Sequence, residues 1–193
     1  MYSARMATQD RLIESTQDLL WERGYVGTSP KAIQQRAGVG QGSMYHHFEG
    51  KPDLAAAALR RSAEQLQAAA EADISGPGTA YERIAAYLNR EREVLRGCRM
   101  GRMAQDPDVI ADARLRAPVE ETFGRLHGRL AEVIAEGRAD GELVPGPDPA
   151  DLAAAVLAVV QGGYVLARAA GTAEPFRQAV RGALGLLAAQ RTV

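Results

Sequence analysis

The chain has 193 residues, of which 46% are hydrophobic, so it can bury a substantial core and is not a disordered chain. Its formal net charge of −1 excludes a uniformly basic surface, so any affinity for nucleic acid must come from a local patch. A single cysteine excludes an intramolecular disulfide, and residues 1–20 hold no apolar signal segment, so we expect a cytoplasmic protein.

Alanine, leucine, arginine and glutamate dominate, and no stretch alternates polar with β-branched residues, so an all-α fold of about nine helices is predicted. The first helix, about residues 8–23, places one set of side chains on a single buried face. That set is Leu12, Ile13, Thr16, Leu19 and Leu20. Ser29 and Pro30 then begin a short helix that ends at Gly38. The remaining helices are predicted at about 41–47, 51–72, 79–96, 107–115, 118–140, 149–170 and 173–190, with a linker at 75–78.

Two short helices joined by the three residues 38–40 have the spacing of a DNA-binding helix-turn-helix, whose second helix enters the major groove. One side of this second helix offers hydrogen-bonding groups and a slim backbone. The residues are Gln41, Gly42, Ser43, Tyr45 and His46. Met44 and Phe48 lie four positions apart and are expected to anchor the other side in the core.

Over about residues 8–55 the chain resembles the DNA-binding region of TetR-family regulators. The resemblance rests on Thr28-Ser29, Ile33, Arg36-Ala37-Gly38-Val39, Gly42-Ser43, Tyr45-His46-His47-Phe48 and Lys51. It implies that Thr28, Ser29, Tyr45, His46 and Lys51 contact phosphates and base edges, and that Gly42 lets the backbone approach the duplex. The chain differs from the family at Gly40, usually a capping serine, and at Gln41, often a basic residue, so the bases that it reads are not predicted.

The positions of the basic residues in this region support DNA binding more than their number does. Residues 1–62 hold eight basic and six acidic side chains, an ordinary surface count. Lys31, Arg36 and Lys51 nevertheless cluster around the motif, and Lys31 is therefore a further candidate contact to DNA.

Residues 79–170 contain aromatic, methionine and aliphatic side chains with a few polar groups, which suit either core packing or a cavity between helices. The candidates are Tyr87, Met100, Met103, Phe123, Leu126, His127 and Tyr164. The family resemblance favours the cavity, because such regulators bind an effector in their second domain. The composition predicts a small, largely apolar effector.

The last two predicted helices are rich in small and aliphatic residues, which permit close approach of helices either in the core or between two subunits. The candidates for the subunit interface are Ala154, Ala155, Ala158, Gly162, Gly163, Ala179, Ala183 and Leu187. The resemblance favours a homodimer through a four-helix interface, and reading two DNA half-sites requires one.

Other chemistry finds little support in the sequence. His46 and His47 point about 100° apart on a helix and His127 is distant in sequence, so no metal and no cofactor are predicted. Cys98 lies among arginines and is either a small buried residue or a redox-sensitive thiol. It has no recognisable partner for catalysis, so an enzyme is not expected. The uncharged stretch from Asp151 to Arg168 is too short to span a bilayer and is interpreted as a buried helix.

These observations predict a DNA-binding domain at about residues 1–50 and a ligand-binding and dimerisation domain at about 51–193. The expected protein is a dimeric, effector-responsive repressor that binds a double-stranded DNA operator and no membrane. Two alternatives remain open at this point. One is a helical small-molecule-binding protein without DNA binding, and the more remote one is a cysteine-based redox enzyme.

Overall fold

A computed structural model describes residues 2–192, with side chains from residue 7 onward, and within this range the chain forms ten helices and no strand. The all-α prediction is confirmed. The helices are α1 (Tyr2–Arg23), α2 (Pro30–Ala37), α3 (Gln41–His47), α4 (Lys51–Ile74), α5 (Ala80–Asn89), α6 (Arg99–Met103), α7 (Pro107–Ala111), α8 (Ala113–Ala139), α9 (Pro149–Ala170) and α10 (Glu174–Ala188).

The chain forms two compact units. The first combines Met1–Gln65 with Arg99–Glu121, and the second combines Leu66–Cys98 with Thr122–Val193. The α4 and α8 helices contribute residues to both units. The first unit therefore holds the predicted DNA-binding segment together with a stretch from much later in the sequence, whereas the functional boundary at residue 50 remains a prediction.

The core of the first unit is built around α1. All five residues of its predicted apolar face are buried, including Thr16, whose hydroxyl donates to the carbonyl oxygen of Leu12 at 2.7 Å. Gln17 is also buried and donates to Ser62 Oγ at 2.8 Å and to Gln65 Oε1 at 3.0 Å. Since Thr16, Gln17 and Ser62 have hydrogen-bond partners, these polar groups are buried between α1 and the first half of α4 without the cost of an unsatisfied donor.

Asp106, just before α7, joins the two sequence segments of the first unit. Its Oδ2 accepts hydrogen bonds from the backbone N–H of Tyr25 at 2.7 Å and of Val26 at 3.4 Å, while Oδ1 accepts from Asp108 N–H at 3.2 Å. Gly24 has a φ of +75°, and a Cβ there would lie 3.0 Å from Asp106 Oδ2. The carboxylate therefore fixes the turn between α1 and α2 through charge-assisted hydrogen bonds.

The core of the second unit is apolar and comes mainly from α5, α8, α9 and α10. Its fully buried members include Ile84, Leu88, Leu130, Val133, Ile134 and Ala153. Gly163 explains the close approach of α9 to α10, because a Cβ at this position would lie 2.8 Å from the Phe176 ring. The small residue thus serves packing within the chain.

The helix predicted to run to residue 96 ends at Asn89, because Arg92 satisfies the carbonyl groups at its end. The guanidinium donates to the carbonyl oxygen of Leu88 at 3.0 Å and also to that of Tyr87. Such a cation at the C-terminus replaces the missing helical hydrogen bonds. The chain then turns at Gly97, with a φ of +82°, and forms α6, which the sequence did not predict.

The prediction that a helix starts at Pro118 was wrong, because α8 starts at Ala113 and contains Pro118. Asp112 determines this start, since its Oδ1 accepts from Arg114 N–H at 2.9 Å and its Oδ2 pairs with the Arg114 guanidinium at 3.0 Å. This carboxylate acts as an N-cap six residues before the proline. The helix predicted at 107–115 correspondingly ends at Ala111.

The α9 helix is long and apolar enough to cross a membrane by length and composition alone, with a mean hydropathy of 1.7 over 18 residues. One side of it is buried in the second unit, through Ala153, Val156, Leu157, Val160, Gly163 and Ala167. It is therefore a core helix rather than a membrane span. The opposite side is exposed, so the prediction of a buried helix is confirmed for one side only.

Candidate nucleic-acid interface

The α2 and α3 helices form the predicted helix-turn-helix with the predicted ends. Ser29 accepts from Ala32 N–H at 3.2 Å and Pro30 occupies the first turn of α2. Gly38 ends α2 with a φ of +63°, and the N–H of Val39 returns to the carbonyl oxygen of Gln34 at 3.1 Å. This left-handed cap, which glycine adopts at little cost, sets the direction in which α3 leaves the turn.

The inner side of α3 holds the helix in the core of the first unit. Met44 and Phe48 are buried, as is Ile33 on α2, and Gln34 Nε2 contacts Met44 Sδ at 3.6 Å. Because α3 has only seven residues, its own hydrogen bonds cannot maintain it, and the buried side chains supply its stability. The predicted anchoring role of Met44 and Phe48 is confirmed.

The outer side of α3 presents hydrogen-bonding groups to solvent. Gln41, Gly42, Tyr45 and His46 are exposed, with 52% of Tyr45 accessible, and Ser43 is half-buried. The imidazole rings of His46 and His47 are 5.2 Å apart in an edge-on arrangement. The structure thus brings the five predicted recognition residues together on one short helix.

Gly42 is not required by packing within the chain. A Cβ at this position would meet no atom within 4 Å, and the residue lies in regular helix, where alanine is favoured over glycine by about 1 kcal/mol. An exposed glycine that the free protein does not need is consistent with a partner approaching the backbone closely.

The predicted DNA contact through Thr28 is corrected by the structure. Thr28 is only 1% exposed, and its hydroxyl donates to the carbonyl oxygen of Gly24 at 2.7 Å. The side chain therefore stabilises the turn before α2. Ser29 is exposed, and since its hydroxyl uses only an acceptor site as the N-cap of α2, it can still donate to a phosphate oxygen.

Lys51 is tied to the turn between α1 and α2. Its Nζ donates to the carbonyl oxygen of Tyr25 at 2.7 Å and lies 3.8 Å from the centre of the Tyr25 ring. Burial lowers the pKa of Lys51, partly offset by the carboxylates of Asp106 and Asp108. The ammonium group has three donors, so a phosphate can be added to these contacts.

The basic cluster around the motif is smaller than its sequence implies. Arg36 forms a two-pronged pair with Glu22 at 2.8 and 2.9 Å, and this hydrogen-bonded partner raises the pKa of Arg36. Its charge is thus balanced within the chain. Lys31 is exposed on α2 and keeps its place as a candidate contact.

Sequence reasoning missed Tyr25 and Asp106, which position the turn before α2. Tyr25 supplies both the carbonyl and the ring for Lys51, and its N–H binds Asp106. The two residues are 81 positions apart, so no local pattern reveals their contact. An aspartate directly before a proline, as in Asp106-Pro107, does signal the start of a helix, but it does not reveal the contact with Tyr25.

The residues predicted for an effector cavity fall in both compact units. Met100 and Met103 are buried in the first unit, whereas Tyr87, Phe123, Leu126, His127 and Tyr164 belong to the second. His127 Nε2 lies 2.9 Å from the carbonyl oxygen of Ala150, and the rings of Tyr164 and Phe176 are 4.9 Å apart. Burial raises the pKa of Tyr164 to about 12. Their assignment to one effector site remains a prediction.

The residues predicted for dimerisation divide between an exposed and a buried group. Ala154, Ala155, Ala158 and Gly162 are exposed on α9, and Ala179 is half-buried on α10. Ala183 and Leu187 instead face the core of the second unit and cannot form a subunit interface. The exposed side of α10 carries Gly182, Gly185 and Leu186, which were not among the predicted interface residues.

Two further predictions concern metals and the cysteine. Within the described residues, no group of three or more histidine, cysteine or acidic side chains has an arrangement that holds a metal ion. Cys98 is half-buried at the end of a segment of the second unit. Whether its thiol senses redox state remains a prediction.

Comparison with known proteins identifies both parts of the chain. Residues 12–58 match the profile of bacterial regulatory proteins of the tetR family, and residues 78–183 match that of the tetracyclin repressor-like C-terminal domain. The transcriptional repressor DhaR of Mycobacterium sp. strain GP1 is 25% identical over 178 residues, which cover 91% of this chain and 89% of DhaR. The repressor KstR of Mycolicibacterium smegmatis is 25% identical over 69% of this chain and 66% of its own.

Solved structures agree with the sequence comparison. A TetR transcriptional regulator from Chloroflexus aurantiacus has a TM-score of 0.89 and 26% identity, with 98% of each chain covered. These relatives are regulators and not enzymes. Since the two profiles together extend over most of the chain, the protein belongs to the TetR family of DNA-binding transcriptional regulators.

Proposed function

We propose that the protein is a cytoplasmic, homodimeric repressor whose two α3 helices enter successive major grooves of a double-stranded DNA operator. The observation that carries this proposal is the exposed polar face of α3, supported from behind by buried Met44 and Phe48. Under this proposal DNA is bound by about residues 1–50 together with Lys51 at the start of α4, and the rest of the chain supplies dimerisation and the effector site.

The contacts divide by chemistry. Gln41, Ser43, Tyr45 and His46 are assigned to base edges, because they combine donors and acceptors on the outer side of α3. Ser29, Lys31 and Lys51 are assigned to phosphates, which fix the register of the protein on the duplex. Thr28 is removed from the set because its hydroxyl is used within the chain.

Two substitutions test these assignments against DNA from the region upstream of the gene. Lys51→Ala should weaken binding to all sequences and lower the salt dependence by about one ion, because one phosphate contact is lost. Gln41→Ala should change the preferred base at one position, at a cost of about 1–3 kcal/mol. Fluorescence anisotropy with a library of operator variants measures both effects.

Gln35→Ala is the matched control for Gln41→Ala, because Gln35 is an exposed glutamine on α2 rather than α3. It should leave the base preference unchanged. If Gln41→Ala and Gln35→Ala behave alike, Gln41 does not read bases. A wild-type protein that binds no DNA at any salt concentration favours the alternative of a ligand-binding protein without an operator.

The dimer is proposed to form through the exposed faces of α9 and α10. Val165, Leu166 and Leu186 are 54%, 55% and 76% exposed, next to the small residues Ala158 and Gly162. Large apolar side chains beside small ones allow two copies to pack closely and remove apolar surface from water. A two-fold pair also supplies the two α3 helices that two half-sites require.

Repression is proposed to end when a small, largely apolar effector binds the second domain. The side chains of the second unit assigned to this site are Tyr87, Phe123, Leu126, His127 and Tyr164, whereas Met100 and Met103 belong to the first unit and are not assigned to it. A hundredfold loss of operator affinity requires the effector to prefer the DNA-incompetent state by about 2.7 kcal/mol. Thermal-shift screening of apolar compounds, followed by operator release in wild type and Phe123→Trp, tests this part. Compounds that stabilise the fold without releasing DNA would contradict it.

A further inference from the structure

A groove in the second unit lies between the end of α5, with the loop that follows it, and the first half of α10. Its volume is about 460 Å³. Sites for drug-sized molecules commonly have volumes of about 300–1,000 Å³, so the groove is large enough for a small organic ligand. It does not include any of the side chains that were predicted above for the apolar effector site.

The floor of the groove is apolar. Leu88 from α5 and Phe176 and Val180 from α10 line it, and each is buried against the core of the unit. Leu95, which is 51% exposed, stands at the rim. An aromatic or aliphatic body placed here would be removed from water on one side, which favours binding.

Four arginines surround this floor: Arg90, Arg92, Arg177 and Arg181. Asp73 pairs with Arg90 at 3.3 Å, and the single carboxylate of Glu174 is shared by Arg177 at 2.9 Å and Arg181 at 2.8 Å. Two carboxylates thus face four guanidiniums, which leaves an excess of two positive charges. Glu91 and Glu93 of the adjacent loop do not line the groove, and Glu93 pairs with Arg96.

Arg92 contributes most to this excess. Its guanidinium donates to the backbone carbonyl oxygens of Tyr87, Leu88 and Arg90, which are neutral acceptors. The guanidinium also lies 5.9 Å from the centre of the Phe176 ring. Burial removes water from this cation and thereby lowers the pKa of Arg92, so a nearby anion would stabilise the charged form.

We propose that this groove binds a small amphipathic organic anion, whose apolar body lies over Leu88, Phe176 and Val180 while its acidic group pairs with the arginines. Guanidinium groups suit carboxylate, sulfonate and phosphate oxygens, because they donate in a planar fork. The combination of charge and apolar floor selects against neutral compounds and against small inorganic anions.

The test uses two fluorescent probes of nearly equal shape and the full-length protein. The first, 8-anilinonaphthalene-1-sulfonate, is an amphipathic anion, and the second, N-phenyl-1-naphthylamine, lacks the sulfonate. Arg177→Gln combined with Arg181→Gln should raise the Kd of the sulfonate at least about tenfold, since charged hydrogen bonds are lost. The Kd of the neutral probe should not change.

The matched control combines Arg116→Gln with Arg125→Gln, two exposed arginines that do not line the groove. It should bind the sulfonate like wild type. Leu95→Glu and Leu95→Lys form a second pair at one exposed site, where folding is little affected. The glutamate should weaken binding of the sulfonate, whereas the lysine should retain or strengthen it.

Several results would overturn the groove as an anion site. They are equal affinity of the wild type for both probes, equal loss in the groove and control arginine variants, or the same response to Leu95→Glu and Leu95→Lys. Any regulatory effect of the anion rests on the proposed function, but its binding does not. Operator titration without probe separates the two: a protein that binds no DNA but binds the sulfonate through its arginines refutes the repressor and keeps the groove.

Discussion

The exposed faces of α3 and of the α9–α10 pair differ in chemistry although both are accessible in a single chain. The α3 face shows an amide, a phenol and an imidazole, from Gln41, Tyr45 and His46. The α9–α10 face shows large aliphatic side chains, such as Leu166 and Leu186. Exposure therefore does not define the partner. Hydrogen-bonding groups fit the wet, polar surface of DNA, whereas a contiguous apolar face fits a second copy of itself.

The largest expected effect distinguishes the two sides of α3, and it is measured by truncating the neighbouring residues Met44 and Tyr45 to alanine. Met44→Ala should lower the free energy of unfolding by about 2–5 kcal/mol, because a fully buried side chain is removed. Tyr45→Ala should change stability little but weaken operator binding. Urea unfolding followed by circular dichroism, together with operator titration, measures both. Equal stability loss in the two variants would show that α3 has no distinct inner and outer side.

The α9–α10 face is tested by placing a charge on it. Leu186→Glu should convert the proposed dimer to a monomer of 20.6 kDa and reduce operator affinity by about a hundredfold or more, because the two DNA-binding domains would no longer be linked. Leu95→Glu, also at an exposed leucine, should remain dimeric. Analytical ultracentrifugation at micromolar concentration distinguishes them. A dimeric Leu186→Glu protein would place the interface elsewhere.

A smaller loss of stability is expected from changing Asp106, which holds the turn between α1 and α2. Asp106→Asn replaces one carboxylate oxygen by an amide donor, so one of its backbone N–H partners loses its acceptor. Stability should fall by about 1–3 kcal/mol, and operator affinity should fall with it. Asp108→Asn is the control, because Asp108 is exposed and joins Asp106 through its backbone N–H. Matching losses in both variants would refute the role of Asp106.

The smallest expected effect concerns Tyr164 on the inner side of α9, and it changes the stability of the protein only at alkaline pH. Tyr164 has a pKa raised by burial from 10.0 to about 12, so the folded state holds its proton more tightly than the unfolded state. This contribution to stability is fully present below about pH 10 and is lost as the pH rises towards 12. Tyr164→Phe should therefore lose less stability over that range than wild type, as urea unfolding measures.

Tyr87 limits the size of this difference, because burial raises its pKa as well. Part of the alkaline sensitivity should therefore persist in Tyr164→Phe. Identical profiles for wild type and variant between pH 10 and 12 would contradict the assignment to Tyr164.

Local signals allowed the recognition region to be predicted from sequence. Ser29, Pro30 and Gly38 each act on their own helix end, so the bounds of α2 and α3 follow from neighbouring residues. The inner and outer sides of α3 also differ in polarity, which identifies Met44 and Phe48 as core residues. The family motif adds roles for the outer side but wrongly includes Thr28, whose hydroxyl donates to the carbonyl oxygen of Gly24 four positions earlier.

Local sequence signals could not predict features that depend on contacts between distant residues. They also could not show which side of a helix is buried when small and aliphatic residues occur on all of its sides. Ala183 and Leu187 resemble the exposed residues of α10 in type, so composition cannot show which side is buried. The end of α5 depends on Arg92 folding back onto two carbonyl groups. The arginine groove likewise combines α5 with α10, which are more than eighty residues apart in sequence.

The contact between Asp106 and Tyr25 has a consequence for synthesis of the protein. When the ribosome has translated α3, the carboxylate that holds the preceding turn is still more than fifty codons away. The first unit is complete only after residue 121 has been made. During that interval the nascent helix-turn-helix has its local caps but lacks its contact with Asp106. The DNA-binding domain can therefore complete its folding only after this later segment of the chain has been translated.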